Sequence, residues 1–102
     1  MYNYKATLNR VVDGDTVNLT IDLGFRLSYT ANCRLAGINA PELNTDEGKA
    51  SRDALRLLVG QGQEVDIFST GLDKYGRPIV VIRHHGIDVN IEMIKKGYAV
   101  KY

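Results

Sequence analysis

The chain of 102 residues has one cysteine, two prolines and no tryptophan. A lone Cys33 can close no internal disulfide and gives a metal no set of thiolate ligands. Two prolines and an ordinary hydrophobic share of 44% exclude a disordered or low-complexity polymer. Long apolar runs are missing too, so no helix is expected to span a membrane. The opening Met1-Tyr2-Asn3-Tyr4-Lys5 lacks the basic-then-apolar order of a secretory leader, and a cytoplasmic location is the expectation. Charge of one sign is also scarce. The net value is +1, which does not announce a phosphate-neutralising surface. The bias is uneven, however. Residues 1–51 carry five basic and six acidic side chains, and residues 52–102 carry eight and six. A catalyst acting on one phosphate needs only a local cluster.

The length suits one domain, residues 1–102, with a single core. Val17, Leu19, Ile21 and Leu23 alternate with Thr16, Asn18, Thr20 and Asp22, the period of a half-buried strand. Ala6 to Val12 alternates less cleanly before it. Asp13-Gly14-Asp15 lies between them as a hairpin turn, where Asp-Gly would supply positive φ angles. A third strand is expected near Ala31 to Ile38. A loop containing Pro41 leads to a helix over Asp46 to Val59, capped by Asn44 or Thr45 and stopped by Gly60 and Gly62. Its apolar positions are Ala50, Ala54, Leu57 and Leu58. Two more strand-like runs follow, Gln63 to Ser69 and Ile79 to His84. A short helix over Val89 to Lys96 closes the pattern. Five strands, one helix between the third and fourth, and a short C-terminal helix make a mostly β, α+β domain: a small OB-type Greek-key barrel.

Three short motifs can carry chemistry. In Val12-Asp13-Gly14-Asp15-Thr16-Val17, one carboxylate could bind a hard cation, which demands oxygen donors. Turn chemistry alone explains the same residues. In Arg34-Leu35-Ala36-Gly37-Ile38-Asn39-Ala40-Pro41-Glu42, a guanidinium fork for phosphate precedes a carboxylate able to activate water. A salt bridge at the barrel edge reads equally well. Asp73-Lys74-Tyr75-Gly76-Arg77-Pro78 can hold a phosphate and stack a base, or form a solvated hairpin loop.

Taken together, the order and identity of these motifs resemble the staphylococcal nuclease (thermonuclease) family over nearly the whole chain. The resemblance implies an OB-type barrel and a metal-dependent phosphodiesterase acting on DNA, RNA or both. It assigns Asp15 to calcium, Arg34 and Arg77 to the attacked phosphate, and Glu42 to the attacking water. It assigns Lys74 and Tyr75 to a terminal phosphate of the nucleotide. Products would end in 3′-phosphate and 5′-hydroxyl groups. The chemistry is coherent, because two guanidiniums and a cation favour the charge that develops in the transition state.

Asn39 departs from the family pattern, in which a second aspartate binds calcium. Asn keeps an oxygen but loses a charge, so calcium binding weaker by about one to two orders of magnitude is expected. Mg²⁺ or Mn²⁺ remain alternatives. Ala40 replaces a threonine whose backbone carbonyl binds the metal, and that carbonyl survives the exchange. Tyr98 and Tyr102 are candidates for the nucleotide site that do not align securely, and packing suits Tyr98 better. His84 and His85, adjacent on a strand, should face opposite ways and so share no metal. Cys33 should be a small buried side chain, and Asn90 should bond to a loop backbone. A monomer without membrane contact is expected. The rival function is a non-catalytic OB-type nucleic-acid-binding module, which has no need of a carboxylate beside the phosphate.

Overall fold

A computed structural model of the chain describes residues 2–102. Met1, the first residue of the segment read for a leader, lies outside the described residues. The long strands are β1 (Tyr2–Asp13), β2 (Thr16–Gly24) and β3 (Leu27–Leu35). A two-residue β4 (Ile38–Asn39) precedes the helix α1 (Asp46–Leu58). Then come β5 (Glu64–Leu72), β6 (Pro78–His84), β7 (Ile87–Asp88), the helix α2 (Val89–Lys95) and β8 (Val100–Lys101).

The principal sheet runs β3-β2-β1-β5-β6-β7, and a further parallel pairing joins β3 to β6. That pairing matches Arg34 with Ile79 and Leu35 with Val80, and it closes five strands into a barrel. Closure removes the open edges that a small sheet would otherwise expose. The OB-type expectation holds, with α1 between the third and fourth long strands.

Alternation builds the interior. Val17, Leu19 and Ile21 are buried against Leu8, Leu35, Ile67, Val80 and Ile82. Their polar neighbours face out and form ladders: Asn9 Nδ2 donates to Asn18 Oδ1 at 2.9 Å, and Thr20 and Thr30 share a hydroxyl bond at 2.9 Å. Leu23 continues the period but is exposed, because the β2–β3 hairpin runs past the end of the core. The third strand also begins earlier than expected, at Leu27, and a turn at Ala36-Gly37 separates it from Ile38.

Three expectations need correction. Gly14 does not have a positive φ. The β1–β2 turn is present, but glycine is required there for clearance: a Cβ would overlap Ser51 Oγ and come within 2.8 Å of Ala40 Cβ. The buried face of α1 is Gly48, Ser51, Ala54 and Leu55, whereas Ala50 and Leu57 are exposed. Leu55 anchors the helix in the core, with Leu58 packed against it, while Gly48 and Ser51 let its first turns approach the loops beneath. Finally, the His84 and His85 rings lie 3.9 Å apart between centroids, tilted by 49°. Strand alternation fails because His85 has already left β6, with φ of 53°. Burial, and then the neighbouring His85, push the His84 pKa below its ordinary 6.5.

Thr45 caps α1 as expected, its hydroxyl accepting from the Gly48 N–H. Asn90, buried in α2, donates to the Ala36 and Val80 carbonyls and accepts from the Ile82 N–H. It thereby ties α2 to β6 and to the turn just after Arg34. Cys33 is fully buried, which pushes its thiol up to about 11.

Candidate active site

Asp15 stands at the β1–β2 turn with only 8% of its surface exposed. A register shift between Val11 and Asp13 bends β1 just before it, as bulges do where a side chain is re-aimed. One Asp15 carboxylate oxygen accepts the Ala40 N–H at 2.9 Å, and the other accepts the Thr16 hydroxyl at 3.0 Å. The Asp15 N–H donates to Asp13 Oδ1 at 3.0 Å. Asp13 therefore sits close to Asp15. Burial raises the Asp13 pKa above 3.8, and hydrogen bonding between the two side chains adds to the rise.

Arg34 bridges this turn to β4. Its Nη1 donates to the carbonyls of Asp15, Leu35 and Ile38 at 3.4, 3.3 and 3.0 Å. Nη1 also lies 3.4 Å from the Asp15 carboxylate. Nη2 donates to Asn39 Oδ1 at 3.0 Å. The guanidinium is thus locked in a cage of oxygens, and its orientation is fixed in advance.

The β5–β6 hairpin supplies the second cation. Asp73 accepts the backbone N–H groups of Tyr75 and Arg77, each at 2.9 Å, through one oxygen. Its other oxygen takes Arg77 Nε at 2.7 Å. Burial alone would raise the Asp73 pKa, but the backbone bonds and the guanidinium prevail and hold it below 3.8. Arg77 is left with its terminal nitrogens unbonded among the described residues. Its Cζ lies 5.5 Å from the Tyr75 ring centre, and Lys74 Nζ lies 5.2 Å from the same ring.

Barrel closure brings these two distant motifs together. Arg34 pairs with Ile79, two residues after Arg77. Arg34, Asp73, Lys74, Tyr75, Arg77 and Tyr102 consequently line one cleft of about 480 Å³. Tyr102 joins it from the chain's far end. Its N–H donates to the Gly37 carbonyl at 3.0 Å, and its ring centre lies 5.8 Å from Arg34 Cζ. The sequence offers Tyr102 only as a candidate without a secure alignment, because nothing local signals its pairing with Gly37. Tyr98 is exposed and borders two grooves, one beside α1 and one shared with Asn39, Ala40 and Pro41.

Glu42 is exposed and stands outside the cleft lining. Its side chain makes no hydrogen bond or ion pair among the described residues, whereas its backbone carbonyl accepts from the Thr45 N–H and hydroxyl. The structure therefore gathers Asp15, Arg34, Asn39 and Ala40 in one cluster, and Arg34, Arg77, Lys74 and Tyr75 in one cleft. Glu42 belongs to neither set of contacts.

A match to the family model described as staphylococcal nuclease homologue covers residues 32–102. The chain belongs to the staphylococcal nuclease family. Among its relatives, the endonuclease YhcR of Bacillus subtilis is 35% identical over 114 residues, covering 97% of this chain and 9% of that protein. An uncharacterized endonuclease of Haemophilus influenzae is 32% identical over 93 residues, covering 91% of this chain and 49% of the relative. Another, from Escherichia coli O157:H7, is 34% identical over 94 residues, covering 91% and 58%. This staphylococcal nuclease-family domain therefore spans less than two thirds of the length of each of these relatives.

The Asp15 cluster can be tested as a cation site by its donors. Asp15 and Asn39 bring hard oxygens, one of them anionic, and backbone carbonyls crowd beside them. Such a set fits Ca²⁺ or Mg²⁺ in kind. It is poor in charge: no group of three acidic, His or Cys side chains gathers among the described residues. Arg34 also competes for the Asn39 oxygen.

Proposed function

We propose that this domain is a nuclease that hydrolyses the phosphodiester backbone of DNA, RNA or both at the Arg34–Arg77 cleft. The observation that supports this most is the pair of guanidiniums lining one cleft from two separate motifs. Arg34 is pre-oriented by its oxygen cage, and Arg77 keeps its terminal N–H groups free for two phosphate oxygens. Charge accumulating on those oxygens is met by donors that need no reorganisation. Lys74 and Tyr75 flank the same cleft and would hold a neighbouring phosphate and base. Glu42, unpaired and exposed, takes the proton of the attacking water. The new O–P bond forms in line as the P–O5′ bond breaks and the 5′ oxygen gains a proton. The ends left are a 3′-phosphate and a 5′-hydroxyl. A divalent cation held by Asp15, Asn39 and the Ala40 carbonyl would add positive charge and acidify bound water.

The second reading, a nucleic-acid-binding module without catalysis, draws on the position of Glu42 outside the cleft lining. One experiment separates the two. The protein is incubated with single-stranded DNA, double-stranded DNA and RNA in Ca²⁺, Mg²⁺, Mn²⁺ or EDTA, and product ends are mapped. Metal-dependent cleavage leaving 3′-phosphates is expected. Binding without cleavage in every metal would establish the module instead.

A further inference from the structure

Helix α1 contributes no residue to the cleft lining, yet two of its inward positions press on the segments that carry the proposed site carboxylates. A Cβ at Gly48 would overlap the Glu42 carbonyl oxygen and lie 2.9 Å from Leu43 Cα. A Cβ at Gly14 would overlap the Ser51 hydroxyl. Neither glycine has a positive φ. Both are therefore needed for clearance, not for backbone conformation. Ser51 is completely buried, and its Oγ is the one buried side-chain polar atom without a partner among the described residues. What it provides is a small, close surface against the Asp15 turn.

The Glu42 side is fastened as well as packed. The Thr45 hydroxyl donates to the Glu42 carbonyl at 2.6 Å and accepts the Gly48 N–H at 3.0 Å. The Thr45 N–H reaches the same carbonyl at 3.0 Å. Gly48 and Ser51 are three residues apart, so they share one helix face with a rise of about 4.5 Å between them.

We propose that α1 is a positioning element that sets the separation between the Glu42 segment, seated on Gly48 and Thr45, and the Asp15 turn, seated on Ser51. The proposal rests on the functional reading of Glu42 given above. Glu42 has no side-chain partner to hold it, so its placement comes from its backbone. A misplacement of about 1 Å can cost 100-fold in rate.

The test is a kinetic cycle on the folded domain. Gly48→Ala forces the Glu42 segment away from the helix, and kcat should fall about 10- to 100-fold with KM changed less than about 2-fold. In a Glu42→Ala background the same substitution should change kcat by less than about 2-fold, since the group it displaces is gone. Thr45→Ala, which removes a hydroxyl and adds no bulk, should repeat the pattern in milder form, and Thr45→Ser should restore kcat. This second series keeps the question open to refutation if Gly48→Ala does not fold. A cap lost for structural reasons alone would lower the melting temperature without splitting kcat from KM. Wild-type kcat in both folded Gly48→Ala and Thr45→Ala, or losses fully additive with Glu42→Ala, would overturn the proposal. If Glu42→Ala is itself without effect, the catalytic reading of Glu42 fails first, and the cycle shows that separately.

Discussion

Arg34 and Arg77 carry the same charge but sit in different bonding environments, and their substitutions should differ accordingly. Arg34 is committed to three carbonyls and Asn39. Arg34→Ala should remove activity and also destabilise the fold by about 1–3 kcal/mol, because half-buried acceptors lose their donor. Arg77→Ala should reduce kcat about 100- to 1,000-fold with a smaller stability change. Urea unfolding alongside single-turnover kinetics checks the contrast, and equal stability losses would contradict it. Asn39 offers a second residue test. Asn39→Asp restores an anionic oxygen beside Asp15, and calorimetry should show calcium binding at least about tenfold tighter. Unchanged affinity would remove Asn39 from the ligand set. Asp73 titrates below 3.8. A carboxyl lowered on folding stabilises the native state above its unfolded value, and that support is lost as pH falls through the folded value. NMR should therefore find the Asp73 midpoint below 3.8, moving upward in Arg77→Gln. At this scale the motifs were legible in the sequence because each is local. Tyr102 was legible only as an unaligned candidate, because its place depends on a backbone bond to Gly37, a residue distant in sequence.

Elements were legible where period and caps agreed. The alternation over Val17 to Ile21 and the Thr45 cap both describe what the chain does. The face of α1 was legible in part: Ala54 is buried and Leu58 packs against the core, but Ala50 and Leu57 are exposed and Gly48, Ser51 and Leu55 take the other inward positions. Apolar periodicity does not mark inward positions held by glycine and serine. The His84–His85 pair was misread for a similar reason: alternation ends where the strand ends, and His85 lies one residue beyond it. The Asp-Gly-Asp turn carries a stability prediction at this scale. Gly14→Ala should cost about 1–3 kcal/mol, the range of overpacking, since a Cβ there would overlap Ser51 and crowd Ala40. Thermal unfolding measures it. A loss of a few tenths of a kcal/mol would mean the turn moves freely from the helix.

The whole molecule explains why weak local signals add up to a site. Each motif alone has a bland explanation as a turn, an edge ion pair or a solvated loop. Parallel pairing of β3 with β6 is a non-local event, and it alone places Arg34 within the same cleft as Arg77. The modest net charge of +1 is compatible with this, because the positive charge that matters is concentrated at the cleft. The central claim is that these groups act on a phosphodiester rather than merely bind one. The most direct measurement compares cleavage and binding of one labelled oligonucleotide by the wild-type domain, Glu42→Ala and Arg77→Ala. Glu42→Ala should retain wild-type affinity while its cleavage rate falls by at least about 100-fold, and Arg77→Ala should lose rate as well. Cleavage at the wild-type rate in both variants would contradict the account.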